Sequence, residues 1–126
     1  MQRRTQHYVR RCAEALGISY NFEVKTGKLA ATSEEAEIEQ VDACSYVITV
    51  NDAFNKALPK RKREVVAHEL MHTLTWPLTR LVPNSHSEEC EEVEELLVNT
   101  LEKLISRLLP EWRYPKLLKP NGMGCS

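Results

Sequence analysis

Two histidines four residues apart, His68 and His72, flank Glu69 in the run Val65-Val-Ala-His68-Glu69-Leu-Met-His72-Thr-Leu74. On a helix, side chains at i and i+4 share a face one turn apart, so both imidazoles can reach one ion. Glu69, next to the first histidine, projects beside that ion rather than at it. There it can take a proton from water activated at the ion. Background residue frequencies produce this H-E-x-x-H spacing in roughly one chain per few hundred of this length. The apolar flanks Val65, Val66, Leu70 and Leu74 predict one buried helix face, which sets the histidines at the edge of a core beside a cleft.

A catalytic zinc site holds its ion with three protein ligands and keeps one position open. The longer pattern with Gly three residues and His six residues after the second histidine is absent, because Thr75 and Leu78 stand there. The only aspartates, Asp42 and Asp52, both precede the motif. The third ligand is then His86 or a glutamate at the start of the next helix. Val93, Leu97, Leu101, Leu104, Ile105 and Leu108 define an apolar stripe expected to be that helix's buried face. Glu94 falls within the stripe, whereas Glu91 and Glu95 are rotated away, so Glu94 is the expected ligand. Glu95 has a competing merit in Asn99, four residues on, where a second residue could orient a histidine. His86 could bind the metal or stabilise an oxyanion, and Tyr114 is a second candidate for the latter.

The elements that must position these residues follow from periodicity. Val9, Cys12, Ala13 and Leu16 predict a helix over 5–16 that Gly17 ends. Tyr20–Val24 alternates as a short strand, Ala36–Val41 is a weaker one, and Tyr46–Val50 is the strongest. Pro59 suits the first turn of a helix expected to stop near Thr75, since Pro77 disfavours helix at the residue before it. Ser85-x-x-Glu88 is a capping-box pattern opening a long helix that ends at Pro110. The order predicts an α+β fold: an N-terminal helix, two or three strands, the H-E-x-x-H helix and a long second helix. Residues 1–110 form the expected single domain, with 111–126 an extended arm packing on it or trailing from it.

Composition narrows the function classes. The chain has 126 residues with 42% hydrophobic, enough for one modest core. Lys plus Arg number 17 against 18 acidic residues, a net charge of -1 that gives no support to a general nucleic-acid partner. No apolar run is long enough to span a membrane, and the start lacks the apolar stretch of a secretory signal. Cys12, Cys44, Cys90 and Cys125 form no C-x-x-C pair, which favours free thiols. The expectation is a soluble cytoplasmic protein. Lys60-Arg-Lys-Arg63 reads first as a solvated helix end, with a nucleic-acid patch as the alternative.

His68-Glu69-Leu-Met-His72, followed about 20 residues later by Glu94-Glu95-Leu-Leu-Val-Asn99-Thr-Leu101, resembles the zincin metallopeptidases. Within them it is similar to the small gluzincin-type proteins common among phage and prophage peptidases. The resemblance covers residues 45–108, and Tyr46–Asn51 is similar to the strand that precedes the active helix in that superfamily. Members often carry E-x-x-A-D or E-x-x-A-N in the second helix, a spacing that Glu95-x-x-Val98-Asn99 matches. The resemblance implies one zinc ion and peptide-bond hydrolysis of a peptide or protein substrate, with Glu69 as general base and His68 and His72 as ligands; its spacing points to Glu95 as the third ligand, where the helix facing points to Glu94. It also implies a substrate lying extended along an edge strand, for which Tyr46–Val50 is the candidate, in a groove kept shallow by the small chain. The rival from another class is a metal-binding regulatory or protein-interaction module of the same fold. A DNA-contacting regulator using the Arg-rich first helix is a third.

Overall fold

A computed structural model describes residues 2–29, 34–81, 83 and 86–113. Among them the chain forms an α+β fold of four α-helices and a mixed three-stranded sheet. The helices are α1 (Gln2–Ala15), α2 (Asp52–Lys56), α3 (Pro59–Thr79) and α4 (Glu88–Ile105), and a 3-10 turn at Ser106–Leu108 follows α4. Strands β1 (Asn21–Thr26), β2 (Ala36–Asp42) and β3 (Ser45–Val50) lie in the order β1-β3-β2. Tyr46, Ile48 and Val50 alternate into the core as a two-residue period requires, and Phe22 and Val24 of β1 join them. Tyr8, Val9 and Cys12 of α1 belong to that same core, as do Val65, Val66 and Leu70 of α3.

β3 is the central strand. It pairs in parallel with β1 and antiparallel with β2, so its backbone groups are used on both sides. That corrects the expectation that Tyr46–Val50 offers an edge to substrate. β1's outer side is also occupied: the Gln6 side chain of α1 accepts from Val24 N at 2.8 Å and donates to Phe22 O. β2 pairs only with β3 among the described residues, which leaves its other side as the sheet's open edge. A bulge between Gln40 and Asp42 bends its far end, and Asp42 Oδ1 accepts from Cys44 N at 2.9 Å to close the hairpin.

Four features differ from the sequence expectations. α2 is an added short helix, capped by Asn51 Oδ1 accepting from Phe54 N at 3.0 Å, and it carries Phe54 into the core. α3 runs through Pro77 to Thr79 rather than stopping near Thr75. A helical proline costs on the order of 3 kcal/mol, and the side chains of α3's last turns offset this through bonds to α4 described below. The N-cap of α4 is Ser87, whose Oγ accepts from Cys90 N at 3.2 Å, while Ser85 lies outside the described residues. Most consequential, the apolar stripe of α4 is not its buried face: Leu104 and Leu108 are 68% and 71% exposed, and Val93 and Leu97 are also exposed. Val98 is the buried residue of α4.

The Lys60–Arg63 cluster does not present four free cations. Lys62 is fully buried, its Nζ 4.3 Å from the centre of the Trp112 ring, and Arg61 pairs with Glu35 at 2.6 Å. Cys12, Cys44 and Cys90 are free thiols, and Cys125 lies outside the described residues. No helix among the described residues is long and apolar enough to cross a membrane.

The described start of the arm, residues 111–113, packs on the core. Trp112 is buried, edge-on to Tyr8 at 5.1 Å, and Tyr8 Oη donates to Pro110 O at 2.8 Å. Trp112→Ala is therefore expected to cost about 3–5 kcal/mol, whereas exposed Arg113→Ala stays within about 0.5 kcal/mol. Urea denaturation of both variants measures this, and equal midpoints would detach the arm from the core.

Candidate metal centre

α3 places His68 and His72 on the face it turns to α4. Their rings meet edge-on with centroids 5.1 Å apart. His68 Nε2 and His72 Nε2 each lie 3.4 Å from the same oxygen, Oε1 of Glu95. One ligand atom from each of these three residues falls within 4.8 Å of the others, so the group could hold a metal ion. Two neutral imidazoles and a carboxylate are a donor set that suits a divalent transition metal, and three ligands leave a position open.

The opposite ring nitrogens have carboxylates of their own. His68 Nδ1 is 3.0 Å from Glu102 Oε1. His72 Nδ1 faces Glu94 Oε1 at 3.5 Å, beyond hydrogen-bond length, and is buried without a hydrogen bond. Such outer carboxylates fix which imidazole nitrogen is free to ligate. His72 is further held by stacking on Trp76 at 5.2 Å, and Trp76 stacks on Tyr46 of β3 at 6.0 Å. An aromatic column thus ties the site to the sheet.

Glu94, the ligand expected from the sequence, does not join the three-residue group. Its Oε1 accepts from Trp76 Nε1 at 3.0 Å, and its Oε2 from Thr79 Oγ1 at 3.1 Å and Thr75 Oγ1 at 3.3 Å. Both oxygens are engaged in joining α4 to the last turns of α3. The apolar stripe of α4 does not face α3, because the facing strip of α3 is itself polar. Glu95 comes inward for that reason. Its spacing to Asn99 is the signal that pointed to it, although the carboxylate bonded to His68 is Glu102. Glu102 went unremarked in the sequence; it lies seven residues after Glu95, two turns along the same face.

A cleft of about 670 Å³ opens over these residues. Glu69 lines it and is only 6% exposed. His86 and Glu91 instead line a separate pocket of about 50 Å³ beside Arg80 and Cys90. Tyr114 lies outside the described residues.

The charges of the metal-free site are coupled. Burial lowers the proton affinity of His68, but its bond to Glu95, the charge of Glu69 and its bond to Glu102 together raise its pKa to about 9. Burial pushes the Glu69 carboxyl up to about 8, against the charge of His68. Hydrogen bonds from His68 and His72 hold Glu95 well below the usual carboxylate range.

Two predictions follow from this geometry. Among Glu94→Ala, Glu95→Ala and His86→Ala, the Glu95 change should abolish stoichiometric metal binding by native mass spectrometry. Glu94→Ala should weaken it by about 10- to 100-fold, and His86→Ala should leave it intact. In the metal-free chain, His68 and Glu69 release protons on unfolding over the range from their ordinary values, 6.5 and 4.5, to about 9 and 8. The stability from those protons is present below the ordinary values and falls as pH rises through the folded ones. Urea midpoints after chelation should therefore be lower at pH 9 than at pH 6, and the reverse order would overturn the assigned pairing. No protein-family model, curated protein or solved structure matches this chain.

Proposed function

We propose that this chain is a zinc-dependent peptidase of the zincin type, with His68, His72 and Glu95 as zinc ligands and Glu69 as general base. The observation that carries the proposal is the convergence of both histidine Nε2 atoms on one Glu95 oxygen, with buried Glu69 lining the same cleft. Two histidines and a carboxylate also serve iron in oxygenases, but hydrolysis needs a base at the site and Glu69 supplies one. When bound, zinc would polarise the scissile carbonyl and lower the pKa of water towards ~7.

The chain's own residues do the rest. Glu69 takes a proton from the attacking water and returns it to the leaving amine. Glu102 at His68 Nδ1 keeps that ring's Nε2 directed at Glu95, and stacking on Trp76 holds the His72 ring. The open edge of β2 offers main-chain groups to an extended peptide, and Ala36, Glu37 and Ile38 of that strand line the cleft.

Glu69→Gln tests the mechanism because it keeps the shape and removes the base. The variant should retain zinc and lose about 100- to 10,000-fold in peptide cleavage. Equal cleavage by parent and variant would remove Glu69 from the reaction and the proposal with it.

A further inference from the structure

The cleft is far more acidic than the chain. The whole sequence carries a net charge of -1, yet seven glutamates and a single arginine line the cleft. Arg61 is already engaged, with Nη2 2.6 Å from Glu35 and Nη1 3.6 Å from Glu64. A divalent ion offsets only two of the charges that remain. These acids are not a bare surface cluster, because they wall a cleft also lined by Glu69 and His72, 6% and 8% exposed.

Their arrangement is polarised. Glu35 is bonded to Arg61 near the start of α3, and Gln40 accepts from Arg80 just past its end at 2.7 Å. β2 therefore runs beside α3 in the same direction, with the histidines between those two tie points. Glu34, Glu35, Glu37 and Glu64 gather at the first end, while Trp76 lines the other. A cleft lined by one sign of charge concentrates ligands of the opposite sign and repels its own.

We infer that the ligand of this cleft is a cationic peptide segment, with a Lys or Arg side chain seated against Glu34, Glu37 and Glu64 at the end of the cleft nearer the start of α3. The inference rests on the peptidase reading and names its substrate class. An acidic segment meets like charge along the same wall. A neutral one gains only main-chain pairing to β2.

Binding tests this separately from turnover. Zinc-loaded Glu69→Gln protein is titrated into three fluorescent peptides of equal length, bearing Lys/Arg, Gln or Glu at the same positions. At low salt the cationic peptide should bind at least about tenfold tighter than the acidic one, and the gap should narrow in roughly 0.5 M salt. The pair Glu34→Gln and Glu37→Gln, with zinc content and circular dichroism unchanged, should shrink the gap several-fold. Equal affinity for the three peptides, or a gap untouched by that pair, would overturn the inference. Parent protein that cleaves all three peptides alike would also overturn it while leaving the peptidase reading. A cationic preference in binding without cleavage by the parent would sink the peptidase reading and leave this one.

Discussion

The contact between α3 and α4 is polar where a helix pair of this size is ordinarily apolar, and the rest of the site depends on it. Glu94 takes bonds from Trp76, Thr75 and Thr79, Glu102 bonds to His68, and Glu95 lies against both histidines. Charge-assisted bonds in a buried setting are stronger than neutral ones, and each leaves a costly orphan if its partner is lost. The arrangement therefore fixes the rotation of α4 about its axis. A turn of about 100° would bring the apolar stripe inward and take the three carboxylates away from their partners on α3, leaving Trp76 Nε1 and the histidines without them. The same bonds keep the end of α3 helical beyond Pro77.

The sheet matters to the site chiefly through which backbone it leaves open. Gln6 mimics a neighbouring strand on one side of β1, and β3 is paired on both sides. Among the described residues the open edge falls on β2, beside the histidines. The column from Tyr46 through Trp76 to His72 then ties the histidines to the sheet. Fold and site are coupled through one aromatic stack and one unpaired edge.

Much of this was legible in the residues. H-E-x-x-H fixed the spacing of His68, Glu69 and His72 because helix geometry alone sets it. β-branched alternation marked β3, and Pro59 marked the start of α3. Glu94 rather than Glu95 was expected beside the histidines because the apolar-face rule asks which side of a helix prefers to leave water, and α4 answers to a polar partner instead. Leu104 and Leu108 stay exposed so that Glu94, Glu95 and Glu102 can face α3. The order of the strands was equally hidden, since alternation shows that a strand has one buried face and says nothing about its neighbours. Pro77 shows tertiary contacts overriding a local signal, here through bonds from α4.

The metal-free site holds more negative charge than its two imidazoles can neutralise. Protons reduce the excess by keeping His68 charged and Glu69 neutral well above their ordinary values. A divalent ion can do the same, and it competes with those protons for the same nitrogens and oxygen. Glu69 illustrates the consequence. Buried beside Glu95 it prefers to stay protonated, and a carboxylic acid cannot accept a proton from water. The charge of His68 opposes that burial and draws the proton affinity of Glu69 part of the way back down.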